Sequence, residues 1–594
     1  MKYILLPIFS IIFLQCTIPM QSSEARITED ELLAHISYLA SDELEGRKPG
    51  SAGGKQAAAY IANHFMQLGL TPLGDNGYQY FEVITSVELG PNNSLASGDI
   101  TGVVGENYTP TAFSTSTTLD APVVFAGYGF QIENDSLNWD DYANQDVNGK
   151  WVMVLRGTPE NDARESKFDK YAALRRKLLV ARDNGAAGVI FVSGEKFDAN
   201  DELINLRIER NLSTAALPVV HIKRDLVNQL VAATGKTVTD IETQLDTDQT
   251  PSSFDTGISL AITTEIIQNE VTTQNVVALL PANDPELKDE YIVVGSHYDH
   301  LGWGGKGSGS RRPDTSAVHN GADDNASGVA AVLEIAENLA LKKNGLRRNV
   351  VFVTFGAEEM GLLGSKFFTS NPLIDLKNVK QMFNLDMIGR LNPETKSLTV
   401  GGTGTAKGLE DYLKANAQDR AFNLAVTPDG YGPSDHAAFY VEDIPVLFFF
   451  TGITEEYHTP QDDVSTINFP GEKMIAEFAA DLIIDMSNMD ESFEFQEAGP
   501  KGPPKSGKRG KVKMGIIPDF AASNTDGFLL GGIVPGGPAS SAGLLKGDVM
   551  VALEGRSVKN VYDYMGRMAD VKPGQRITVE VMRGDEKIIV IVQL

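Results

Sequence analysis

Four near-continuous apolar runs, Tyr291 to Gly295, Asn349 to Phe355, Gln381 to Leu385 and Val446 to Phe450, constrain the fold of this chain most. A strand with one solvated face alternates apolar and polar residues. A run without alternation belongs to a strand covered on both faces, as in parallel sheets whose crossover helices pack above and below. Ser327 to Leu341 supplies one such helix, with Val329, Val332, Leu333, Ala336 and Leu339 at helical spacing. The sequence therefore predicts an α/β unit around a mixed, largely parallel sheet flanked by helices.

The rest of the chain divides around that unit. Thr28 and Glu31 stand at capping-box spacing before Leu32, Leu33, Ile36 and Leu39, and an alanine-rich helix is expected from Ser51 to Leu68. Between them and the sheet, short β-branched runs (Ala121 to Phe125, Trp151 to Leu155, Gly188 to Val192, Leu217 to Ile222) separated by Gly, Asn and Asp predict an inserted β-rich domain. The expected boundaries are 27–95 and 265–490 for the main domain, 96–255 for the insert, 491–511 for a linker and 512–594 for a last domain. The linker contains GPKGPPKSGKRGK, a solvated composition that predicts loose tethering.

With 594 residues, 42% hydrophobic and 22% charged, the chain is globular, and its length requires several domains. Its net charge of −28 argues against nucleic acid, whose phosphates are bound by an excess of Lys and Arg. The last domain is nearly neutral, so the acidity belongs to the domains before it. The single cysteine, Cys16, excludes a disulfide framework, a thiolate-ligated zinc and a cysteine nucleophile in a mature chain. Lys2 followed by the apolar stretch Ile4 to Leu14 reads as a signal peptide within residues 1–20 and predicts export. Cys16 directly after that stretch resembles the acylated cysteine of bacterial lipoproteins, with simple cleavage further along as the alternative. The expected location is extracytoplasmic: periplasmic, secreted or anchored to the outer membrane by lipid.

The chemistry gathers at the ends of the predicted strands. YIVVGSHYDH ends with His297 and Asp299; GADDNASG carries Asp323 and Asp324; VVFVTFGAEEMG carries Glu358 and Glu359; MFNLDMIG carries Asp386; EYHTP carries His458. In open α/β sheets the carboxyl ends of the strands border the ligand crevice, so these five sets converge there. Each alone is a weak signal, because strand-end histidines are commonly core residues and paired carboxylates commonly line solvated loops. Together they form a nitrogen and oxygen donor set suited to zinc, in which a shared carboxylate can hold two ions ~3.5–4 Å apart.

With SDELEGRKPGSAGGKQAAAYI near the start, these motifs in this order and GYGPSDHAAF before the last histidine, the chain resembles the M28 zinc peptidases. GYGF and DNGAAGVIFVSG resemble the protease-associated domain that this family carries as an insert, and KMGIIPDF with GGPASSAGLLKGD resembles a bacterial PDZ domain. The resemblance implies two zinc ions per chain, with Asp324 as bridge, Glu359 and His458 on one ion and His297 and Asp386 on the other. It makes Glu358 the general base and Asp299 the residue that orients His297. Tyr431 and Tyr457 both match positions of an oxyanion-binding tyrosine, Tyr431 being the preferred one, and Met387 matches a side-chain pocket wall. Asp323, Asp435 and His436 fit the motifs with structural hydrogen bonding as their expected role, and Gly515 to Ile517 would be the carboxylate-binding loop of the PDZ domain.

The implied activity is aminopeptidase, acting on peptides with a free N-terminus, while the PDZ domain would take a peptide C-terminus or strand. A carboxypeptidase on the same fold would need cations for the substrate carboxylate, for which Arg390, Arg311 and Arg312 are the candidates. A glutaminyl cyclase would use one zinc, and a metal-free binding protein would lack some of the five ligands. A serine hydrolase would require GxSxG and a zincin HExxH, both absent from the sequence.

Overall fold

The computed structural model describes residues 26–594 apart from 135–136, 161–165, 207–214, 343–344, 500, 502–511, 519–526, 534–535 and 569–570. Residues 1–20 with Cys16, where a signal peptide is expected, and most of the expected linker lie outside the described residues.

The four apolar runs form the centre of a nine-stranded mixed sheet. Tyr291–His297 lies between Asn349–Phe355 and Val379–Leu385, parallel to both, and Val446–Phe450 is parallel to the latter. All seven residues of Asn349–Phe355 are buried, which is why its sequence shows no alternation. Antiparallel strands flank this centre, Ile266–Leu280 on one side and Ser397–Gly401 on the other. The helices Glu29–Leu39, Ala52–Gln67, Gly328–Leu341 and Phe469–Asn488 pack over one face in a single large core. Phe368 and Phe439, from Leu363–Ser370 and His436–Val441, cover the other.

Chain direction places the site. From Tyr291–His297 the chain crosses to Asn349–Phe355 on one side and afterwards to Val379–Leu385 on the other. The strand order reverses there, and a crevice opens at the carboxyl ends of the strands on either side of such a reversal. The helix Gly328–Leu341 starts over this crevice because Gly328 has no side chain: a Cβ there would stand 2.3 Å from the Leu385 carbonyl oxygen.

A long antiparallel ribbon, Tyr78–Leu89 against Ile266–Leu280, leads out of the main sheet. Beyond it an eight-stranded sheet gathers strands from Ser94 to Thr264, with Trp151–Leu155, Gly188–Val192 and Val219–Ile222 parallel in its middle. The insert also contains the helices Leu174–Asp183, Arg224–Leu230 and Val238–Asp248, so it is α/β in its interior. The last domain is a small antiparallel sheet with the helix Val561–Met568. It is docked, contrary to the loose tether read from the linker. Arg567 makes a bidentate pair with Asp183 of the insert at 2.7 and 2.9 Å, and Arg182 of the insert pairs with Asp563.

Candidate metal centre

Four strand ends and one helix start deliver the predicted residues to one place. His297 closes its strand; Glu358 and Glu359 follow Asn349–Phe355 on a turn; Asp386 follows Val379–Leu385; Asp324 lies in the turn Ala322–Ser327; and His458 comes from the loop after Val446–Phe450. His297 Nε2 is 3.3 Å from Asp324 Oδ1 and 3.4 Å from Asp386 Oδ1. His458 Nε2 is 3.1 Å from Asp324 Oδ2 and 3.1 Å from Glu359 Oε2. Asp324 thus offers one oxygen to each of two corners. A tetrahedral ion with bonds of about 2.0–2.1 Å holds its donors about 3.3 Å apart, so both corners have the spacing of a zinc coordination edge. Asp386 Oδ1 is buried without a hydrogen-bond partner and so remains available to a cation.

Glu358 stands apart from the corners. Its Oε2 is 3.9 Å from His297 Nε2, and its carboxyl is pushed well above the usual range by burial and by Glu359, Asp435 and Asp386, although His297 opposes them. Burial lowers the pKa of His297, but Glu358, Asp386 and Asp324 more than reverse this and hold the imidazole well above its ordinary value. For His458 burial also acts downward, and bonds to Asp324 and Glu359 raise it to about 10. The region contains the buried carboxylates Asp299, Asp323, Asp324, Asp386, Asp435 and Asp462, with Arg47 as a permanent cation among them. Carboxylates crowded out of water either take up protons or hold cations.

The supporting residues act through the backbone. Asp299 directs its carboxylate at the Glu358 and Glu359 N–H groups, at 2.9 and 3.3 Å, and it is the Asp299 carbonyl oxygen, 3.2 Å away, that meets His297 Nδ1. The expected contact between the Asp299 carboxylate and the imidazole is 3.8 Å, longer than a hydrogen bond. Asp323 accepts from Gly389 N at 2.8 Å, and His436 stacks on Phe448 with ring centroids 4.4 Å apart. Burial raises Asp435 to about 7. Met387 is buried, with its N–H bonded to Asn325 Oδ1.

The two tyrosines separate clearly. Tyr457 stacks on His458 with ring centroids 3.8 Å apart, and burial together with Asp324, Glu359, Glu358 and Asp386 raises its phenol pKa. Tyr431 packs against the apolar cluster containing Phe355, Phe368 and Phe439.

Four residues to which the sequence reading gave no role shape the site. Asp462 accepts the Asp323 and Asp324 N–H groups, each at 3.0 Å. Asn325 donates to Ser296 Oγ and Leu385 O and accepts from Gly328 N and Met387 N. Arg47, buried within the quoted EGRKPG motif, donates to the carbonyls of Leu39, Tyr298, Asn320 and Gly321. His300 lies three residues after His297, its Nδ1 2.7 Å from Glu359 Oε1. Its signal was the second histidine of HYDH in a chain with only eight.

Residues 275–483 match the family model of Peptidase family M28, 119–230 that of the PA domain and 520–594 that of the PDZ domain. Aminopeptidase YwaD of Bacillus subtilis is 26% identical over 73% of this chain and 79% of its own length. Leupeptin-inactivating enzyme 1 of Streptomyces exfoliatus is 33% identical over 30% of this chain and 36% of its own. The solved structure of BSAP, a zinc aminopeptidase from Bacillus subtilis, aligns at 21% identity over 78% of this chain and 96% of that one, with a TM-score of 0.44. Domain order and the matched segments define a metallo-exopeptidase, a hydrolase with two accessory domains. Residues 275–483 thus form a domain that matches peptidase family M28, with a PA match before it in the chain and a PDZ match after it.

Proposed function

We propose that this protein is an exported zinc aminopeptidase with two ions per chain, bridged by Asp324. The observation that carries the reading is the pair of donor corners sharing Asp324, with nitrogen to oxygen distances of 3.1–3.4 Å. Glu359 and His458 would complete one site, His297 and Asp386 the other. The two ions would polarise the scissile carbonyl and acidify the attacking water.

This chain's residues supply the rest. Glu358, set back from both corners, takes the proton of the attacking water and passes it to the leaving amine. Its Oε2 lies within 4 Å of His297, close to the corner yet outside its bonding distances. Tyr457 is better placed than Tyr431 to donate to the developing oxyanion, since its ring stacks on His458 at one corner while Tyr431 packs against an apolar cluster. A free α-amine would lie against the acidic cluster, and the relatives named as aminopeptidases support that end of the substrate. Of the cations a carboxypeptidase would need, Arg390 is paired with Glu456 at 3.1 Å, and Arg311 and Arg312 are exposed.

The test compares aminoacyl-anilides with their N-blocked forms, with and without chelator. Cleavage of the free-amine set alone, abolished by chelator and restored by zinc, is expected; cleavage of blocked substrates would overturn the aminopeptidase reading. Export is proposed from Lys2, Ile4 to Leu14 and Cys16. Fractionation should find the protein outside the cytoplasm, and fatty-acid labelling lost in Cys16→Ala would identify a lipoprotein.

A further inference from the structure

We propose that His300 is a positioning residue for the metal centre, holding Glu359 so that one of its oxygens is committed to His458 and Asp324. The inference rests on the metal-centre reading above and concerns a residue outside its ligand set.

Glu359 divides its two oxygens. Oε1 lies 2.7 Å from His300 Nδ1, while Oε2 lies 3.1 Å from His458 Nε2. The first distance is that of a charge-assisted hydrogen bond and is too short for two donors on one ion; the second matches a coordination edge. His300 Nδ1 is also 3.9 Å from Asp324 Oδ2, too far to bond it, so the contact selects Glu359. The ring itself is fixed. It is buried and lies against Gly321, where a Cβ would come within 2.6 Å of His300 Cδ2, and it meets His458 edge-on at 5.7 Å. Its Nε2 is buried without a hydrogen-bond partner, which leaves Nδ1 as the atom through which the ring acts.

The geometry has a consequence for Glu359. A free carboxylate rotates and can present either oxygen or both; with Oε1 tied, Oε2 alone faces His458 and Asp324. Residues that orient a ligand in this way typically contribute ~10–100-fold to metal affinity.

Asparagine and glutamine distinguish position from mere polarity. His300→Asn can place its amide N–H near the Nδ1 position, whereas His300→Gln carries it further out, near Nε2. Zinc binding is measured for wild type and both variants in chelator-buffered zinc, with elemental analysis and the melting temperature of each metal-free protein. His300→Gln should lose affinity ~10–100-fold for one ion of the two while keeping the other, and His300→Asn should stay within a few-fold of wild type. Unchanged affinity in His300→Gln would overturn the proposal. Equal loss in both variants would also overturn it, because the histidine would then be a ligand or a packing residue. If wild type itself binds fewer than two ions, the metal-centre reading fails first, and the failure is recognisable because it precedes any substitution at His300.

Discussion

Glu358 and Glu359 are neighbours on one turn, held by the same Asp299 carboxylate, yet only Glu359 reaches the His458 corner. Glu358→Gln should therefore retain both zinc ions while kcat falls ~10²–10⁴-fold with KM little changed. Glu359→Gln should instead weaken one ion; the reverse pattern would exchange their roles. Asp324→Ala should lose both ions, since each corner uses one of its oxygens, and elemental analysis showing two ions retained would refute the bridge. The donors were legible in the sequence because a strand end is marked by the end of its apolar run. His300 and Asp462 were not, because their partners lie 59 residues or more away in the chain and only the fold brings them together.

Among the elements, Arg47 ties the start of the peptidase domain to the site. Arg47 donates to the carbonyls of Tyr298, Asn320 and Gly321, which flank His297 and Asp324, and to Leu39 at the end of the first helix. Arg47→Met keeps much of the volume and leaves the Leu39, Tyr298 and Asn320 carbonyls without this donor, while Gly321 O keeps the Ala326 N–H. Each unsatisfied buried acceptor costs ~1–3 kcal/mol, so stability should fall by at least ~3 kcal/mol by urea unfolding of the metal-free protein. A loss under ~1 kcal/mol would mean that water replaces the guanidinium. The same scale separates what the sequence revealed from what it concealed. Continuous apolar runs reported burial on two faces, and Asn349–Phe355 and Val446–Phe450 coincide with their predicted limits. The helices of the insert were hidden, since a short amphipathic helix such as Leu174–Asp183 lies between strands whose β-branched runs dominate the local pattern. Docking of the last domain was concealed for a different reason: linker composition describes the connection and says nothing of the surfaces it joins.

Two properties belong to the whole molecule. His64, His221 and His436, in three separate parts of the fold, are each lowered to about 3, chiefly by burial. Between that value and the ordinary ~6.5 of an unfolded histidine, the unfolded chain binds protons that the folded one excludes, so each of these histidines contributes a loss of stability as pH falls below ~6.5. The slope of each contribution approaches ~1.4 kcal/mol per pH unit, while buried carboxyls raised to about 7, Asp141, Asp299 and Asp435, act in the opposite direction over the same range, so the test is a difference: relative to wild type, His64→Phe should remove that slope from the urea stability profile between pH 7 and 5. Parallel profiles for the two proteins would show that this imidazole charges within the fold. The second property is the docking of the PDZ domain. Arg567 with Asp183 and Arg182 with Asp563 join the helices Val561–Met568 and Leu174–Asp183, and the Arg567 side chain is only 4% exposed. Asp183→Arg would set like charges against Arg567 and Arg182, so the last domain should separate and the radius of gyration in solution scattering should rise. Combining Asp183→Arg with Arg567→Asp restores opposite charges and should return the compact state, with a coupling of ~1–3 kcal/mol in a double-mutant cycle. Activity on aminoacyl-anilides should hold throughout, because every proposed site residue lies before the linker. A compact Asp183→Arg protein would show that the ion pairs are incidental, and compact but inactive protein would place the insert's helix in control of the active site.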